Sequence, residues 1–144
     1  MTWFEQLLRQ KLRYKEIGWA EIGEKFTRYA LVKTPWLSVY LHQLDAPNWH
    51  PECHDHPWGF VTILLRGGYL EKIGTKVFHR RPGFILFRPA TFAHNVITPF
   101  GTSWSLVFAG PKSRDWGFKP CESPVAVTSK PYLQYISEQQ QAAA

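Results

Sequence analysis

The sequence predicts an all-β domain, a sandwich or closed barrel, preceded by an amphipathic helix. Three observations carry this. From about residue 28 onward, short apolar and aromatic runs recur at even spacing, each cut off by Pro or Gly. No second helical segment lies between those runs, which argues against a parallel α/β sheet. Aromatic residues make up 16% of the chain, the side chains a small β-domain uses to fill its interior or line a pocket. At 144 residues the chain has room for a single domain with its own core.

Taken in order, residues 2–16 place Trp3, Phe4, Leu7, Leu8 and Leu12 at helical spacing, with Thr2 and Glu5 as a capping pair. This helix is expected to pack across the β-domain rather than carry chemistry. Strands are expected at 28–33, 36–44, 58–66, 68–73, 75–80, 83–88, 92–97 and 102–109. The breaks between them fall at Pro35, Pro47, Pro51, Gly67-Gly68, Gly74, Pro82-Gly83, Pro89, Pro99, Gly101 and Gly110-Pro111. The tail from Ser137 is polar, then Ala-rich, and reads as frayed. The organisation is therefore one domain over 1–144: a helical segment at 1–27, a barrel at 28–120, and a partly disordered extension at 121–144.

The longest apolar run, Phe60 to Leu65, is broken by Thr62 and falls far short of the roughly 18 residues of a membrane helix. The first residues lack the pattern of a signal peptide, so a soluble cytoplasmic protein is expected. Two cysteines, Cys53 and Cys121, make no disulfide framework and read as reduced thiols. Seventeen basic against eleven acidic residues give a net charge of +6. The basic residues are scattered, and no helix-turn-helix accompanies them, so nucleic acid is an unlikely partner. A small-molecule ligand is the expected one, and a homodimer is compatible with the aromatic content.

The chemistry lies in the histidines. In an extended chain alternate side chains point the same way, so His54 and His56 can offer two imidazoles to one point. His94, in a segment read as a strand, can supply a third. Three neutral imidazoles with open positions make a binding or catalytic metal site rather than a closed structural one.

With its surroundings, this pattern resembles the cupin superfamily. One cupin motif sets H-x-H before a strand and a glycine turn, as in His54-Asp55-His56, Trp58 to Leu65 and Gly67-Gly68. The second, G-x5-P-x-G-x2-H, is matched by Gly83, Pro89 and His94, with Thr91 where the family prefers Gly. HDHPW, LRGGY and the later Trp116-Gly117-Phe118 look like a group of small bacterial and phage cupins. The resemblance implies a double-stranded β-helix, or jelly roll, holding a divalent metal through His54, His56 and His94. Cupin thiol dioxygenases hold iron on three histidines, so the resemblance makes Fe(II) the first choice, with Zn, Ni or Mn also compatible.

Two departures matter. Many cupins carry a glutamate four or five residues after the second histidine, where this chain has Phe60 and Val61. The final Asn of the second motif is replaced by Thr98. Glu71 lies too far along to stand in on the same strand, so a three-histidine face without a carboxylate is expected. Neutral ligands leave the metal its full dipositive charge, which favours anionic substrates that chelate it.

Alternation from His56 turns Trp58, Phe60, Thr62 and Leu64 inward, and around His94 it turns Phe92 and Val96 inward. Tyr40 and His42 are expected to join that pocket from 36–44, with a solvent-facing His42 as the alternative. His50 reads as exposed. His79-Arg80-Arg81 is read as a solvated turn, with phosphate binding as the alternative. Arg66 or Arg88 can offer a guanidinium to a carboxylate substrate. Asp55 and Cys53 point away from the metal, Asp55 accepting hydrogen bonds within a turn. Three functions fit: a metal-dependent oxidative enzyme acting on a small acid or thiol, a non-catalytic metal- or metabolite-binding or structural module, and a metal-free sugar-nucleotide isomerase or epimerase.

Overall fold

A computed structural model describes residues 1–19, 24–45, 52–122 and 129–143. Among these, the elements in chain order are α1 (Trp3–Lys11), β1 (Arg13–Trp19), β2 (Glu24–Lys33), β3 (Ser38–Leu44), β4 (Glu52–His54), β5 (Phe60–Arg66), β6 (Tyr69–Ile73), β7 (Lys76–Arg80), β8 (Ile85–Arg88), β9 (Asn95–Ile97), β10 (Ser103–Ala109), β11 (Gly117–Pro120), β12 (Lys130–Pro131) and α2 (Tyr132–Ala142). The strands form a six-stranded sheet in the order β1-β2-β3-β10-β5-β8 and two three-stranded sheets, β12-β11-β4 and β7-β6-β9. The chain is an all-β jelly-roll barrel with an N-terminal helix. No described helix is long and apolar enough to cross a membrane.

The six-stranded sheet separates two environments by strict alternation. Across β2, β3 and β10, Arg28 faces His42 and His42 faces Ser105, one row on the inner surface. The next row out of phase, Thr27, Gln43 and Trp104, lies under α1. There Phe4 packs edge-on against Trp104 at 5.8 Å and Gln43 donates to Glu5 at 2.8 Å. The Thr2–Glu5 capping box closes in both directions, as the sequence predicts.

On the inner surface, Phe60, Thr62 and Leu64 are buried while Val61 and Ile63 are only half covered. Gly67 and Gly68, both at positive φ, turn β5 into β6. A Cβ at Gly67 would stand 2.4 Å from the Thr102 carbonyl, and one at Gly68 2.5 Å from the Arg80 carbonyl. Only glycine fits a turn that close to two neighbouring backbones.

Several expectations need correction. The N-terminal helix stops at Lys11, and 13–19, read as helical, is a strand on β2. Residues 137–142, expected to carry no regular structure, lie within α2, whose Tyr135 is buried against Phe118. Cys53 and Cys121 are joined in a disulfide across a sequence separation of 68 residues, so neither is a reduced thiol. His50 lies outside the described residues.

Candidate metal centre

Three backbone devices bring the histidines together. His54 ends β4, which β11 holds through the pairing of Phe118 with His54. An isolated antiparallel bridge then joins His54 and His94, N–H to carbonyl in both directions at 2.9 and 3.0 Å. The His56 N–H reaches the Ala90 carbonyl at 3.0 Å. Between them Asp55 turns the other way, bonded through its N–H to the Gly117 carbonyl and through its carboxylate to Arg114 and Ser129.

The three imidazoles form a nearly equilateral group. Ring centroids are 5.0 Å apart for His54–His56 and 4.9 Å for each pair with His94. One ligand nitrogen from each lies within 4.8 Å of the others, and all three side chains are buried, so the group could hold a metal ion. Burial, and then the neighbouring His94 and His54, push the His56 pKa well below its ordinary value. Such an imidazole stays neutral, the form a metal needs.

Behind His94 stands Glu71, fully buried on β6, with Oε1 2.7 Å from His94 Nδ1. Arg80 Nε reaches its Oε2 at 2.7 Å, and Arg88 meets both oxygens, Nη2 to Oε2 at 2.8 Å and Nε to Oε1 at 3.2 Å. Burial alone would raise this carboxyl, but His94 and the two guanidinium groups outweigh it and hold the pKa down at about 2. The ionised carboxylate fixes His94 with Nδ1 turned away, leaving Nε2 for the cavity, and makes it a better donor. The three groups that could hold a metal are all histidines, and the carboxylate lies one step behind them, on His94. Glu71 arrives not along the histidine strand but across the sheet, where β6 pairs with β9 and sets Glu71 beside Val96.

The triad opens into a cavity of about 80 Å³. Of the residues expected there, His42, Trp58, Phe60, Thr62 and Val96 line it. Tyr40 and Phe92 do not. Tyr40 is buried beside the cavity, stacked on His42 at 6.0 Å, because its row on β3 sits one step further along the core. Phe92 lies against the edge of His94 at 5.7 Å and under the Arg88 guanidinium at 4.3 Å, so it supports the ligand from outside. His42 faces inward; burial and the adjacent Arg28 drive its pKa well below the usual histidine range. Arg66 is exposed, and Arg88 is committed to Glu71. In the basic triplet, Arg80 also belongs to Glu71, while His79 is exposed and packs at a tilt against Phe100.

Sequence reasoning missed Phe26, Arg28, Leu44, Tyr69 and Trp116 on the cavity wall. Trp116 stands 5.3 Å from His56 and 5.7 Å from His54. Its WGF context was noticed only as a likeness. For Arg28 the available signal was alternation with Phe26 and Ala30, a lone cation on the apolar face of a strand.

No family model and no curated protein matches the chain. Solved structures do. A cupin 2 conserved barrel domain protein from Rhodopseudomonas palustris superposes with a TM-score of 0.59 at 15% identity, over 92% of this chain and 88% of that one. The fold is that of a cupin. An RmlC-like cupin from Shewanella frigidimarina gives 0.55 at 17% identity, over 73% of this chain and 88% of that one. The Fe(II) form of HppE gives 0.56 at 15% identity, over 69% of this chain and 57% of that one. Likeness at this identity concerns the cupin barrel alone.

Proposed function

We propose that the chain is a metal-dependent oxidative enzyme of the dioxygenase type, with His54, His56 and His94 as the ligands of an Fe(II) ion and a small organic acid or thiol as substrate. The observation that carries this reading is the buried triangle of imidazoles, one of them backed by the ionised Glu71, on a cavity with mostly apolar walls. A structural zinc site would close its fourth position with protein; here the described residues offer three ligands and a cavity. Bound Fe(II) supplies a Lewis acid and a one-electron couple through which dioxygen and substrate react. The existence of an Fe(II) structure, HppE, among those sharing the fold supports iron over Zn, Ni or Mn.

The protein's own part is positioning. Glu71 fixes the ring of His94, and the His54–His94 bridge fixes the spacing of two ligands. Phe60, Val96 and Trp116 keep bulk water from the open side of the triad. No described group in the cavity is set up as a strong base: His42 is neutral, and its Nε2 accepts from Arg28 at 3.3 Å.

The test is oxygen uptake by anaerobically iron-loaded protein against a panel of small carboxylic acids and thiols. Uptake that depends on one substrate and disappears in His94→Ala supports the reading. No uptake with any member, from protein that retains its iron, contradicts it and leaves a binding module.

A further inference from the structure

Four arginines drawn into the protein reach a carboxylate: Arg9 meets Glu16, Arg80 and Arg88 meet Glu71, and Arg114 meets Asp55. Arg28 is built differently. Its guanidinium lies over the rings of Tyr40 at 4.7 Å, Trp58 at 4.8 Å and Phe26 at 5.6 Å. Its Nε donates to His42, its Nη2 is buried without any hydrogen-bond partner, and among the described residues no acid answers its charge. Burial draws its pKa down to about 10, which still leaves it a cation at neutral pH. Rings stacked on the faces of a guanidinium satisfy its charge in part but not its in-plane N–H groups. Leaving such a donor buried and unmet is unfavourable, and a protein retains it where something else supplies the acceptor.

The position says what that is. Arg28 lines the same cavity as the triad, on the wall formed by the six-stranded sheet, whereas the imidazoles come from β4, the turn after it and the segment before β9. Arg28, Trp58 and Trp116 also border a wider outer cleft of about 410 Å³. There Lys112 is neutralised by Asp115 and Glu16 by Arg9, while Lys15 adds a further cation. The cavity thus has a metal-ligating floor, apolar walls and one fork-shaped cation at its junction with the cleft.

We infer that Arg28 is the specificity-determining residue of this cavity and that the ligand it takes is a small organic carboxylate, held by the in-plane N–H groups of the guanidinium between Tyr40 and Trp58. The planar fork matches a carboxylate, and the aromatic box excludes the water that would screen the pair. The inference deepens the proposed function, choosing acid over simple thiol, and rests on that reading only for catalysis; binding itself needs no metal.

The experiment uses chelator-stripped protein and tryptophan fluorescence from Trp58 and Trp116, with propionate, glycolate and 3-mercaptopropionate as probes and propionamide as the neutral control. The expected result is saturable binding of the acids and little of the amide. Arg28→Met should weaken acid binding about tenfold to a hundredfold, the effect of one charge-assisted hydrogen bond, and Arg28→Lys should recover part of it. Equal binding of propionate and propionamide by the unaltered protein, or no binding of any acid, overturns the inference without recourse to a variant. Unchanged acid affinity in a folded Arg28→Met does the same. Acid selectivity in a protein that never takes up metal would sustain Arg28 and defeat the enzyme reading. Metal uptake without acid selectivity would do the reverse.

Discussion

Arg88 and Arg28 stand at two ends of the same constellation and are treated in opposite ways. Arg88, with Arg80, is wrapped on a fully buried Glu71 whose Oε1 also holds His94. There both guanidinium groups share one carboxylate and the geometry is closed. Arg28 is held by three rings and a neutral histidine, with one nitrogen left over. The first arrangement fixes a ligand in place. The second keeps a strong donor ready for something that arrives. A buried cation fully paired by the protein is part of the architecture, whereas one left partly unpaired at a cavity mouth reads as a binding group.

Removing one partner from each end should separate the two most sharply. Glu71→Ala strands two guanidinium groups and should lose about 3–5 kcal/mol in denaturant unfolding. It should also weaken metal binding about tenfold to a hundredfold by releasing His94. Loss of stability without loss of metal affinity would mean that Glu71 does not orient the ligand. A smaller loss is expected from the disulfide. Cys53→Ala should cost about 2–4 kcal/mol, and because Cys53 precedes His54, metal affinity should fall with it. Unchanged unfolding after reduction would show that the Cys53–Cys121 bond does not hold β4.

Acid should reach the open end first. His42 has a folded pKa well below 6.5, so its neutral form stabilises the fold above that value, and the contribution is lost as pH falls below it. Glu71, held at about 2 against an ordinary 4.5, contributes in full above 4.5 and loses that contribution progressively as pH falls from there through about 2. Melting of chelator-stripped protein should therefore begin to weaken below pH 6.5, and His42→Gln should reduce that slope, with His56 supplying the remainder. The least change is expected at Arg28. Arg28→Met removes an unmet donor and should leave stability within about 1 kcal/mol of the parent or raise it. A loss as large as that of Glu71→Ala would make Arg28 an architectural residue like Arg88.

What could be read from the sequence follows the range of the forces involved. Strands bounded by Pro and Gly were legible to within a few residues, as were the helix cap and the inward set Phe60, Thr62 and Leu64, because all depend on neighbours a few positions away. β1 was hidden because 13–19 carries the same mixture of charges and apolar residues as the helix before it, and only its pairing with β2 decides it. β4, β11 and β12 are two to four residues long and exist through partners far along the chain. α2 lacks a side-chain cap and a continuous apolar face, and is anchored by Tyr135 on Phe118. In the candidate site, the H-x-H spacing announced two imidazoles. Glu71 is out of reach along the histidine strand as a ligand, and its contact with His94 exists because sheets bring side chains together across strands. Alternation places Arg28 on the inner face of its strand, but its position on the triad's cavity and the cysteine pairing follow from register and topology, which no local pattern encodes.

The central claim is that His54, His56 and His94 hold a metal. The most direct test is the metal content of protein purified without chelators, with His54→Ala and His94→Ala beside it. The account predicts near-stoichiometric iron in the parent and its loss in both variants while they remain folded. No metal in the parent, even after anaerobic reloading with Fe(II), or the same content in all three proteins, would contradict it.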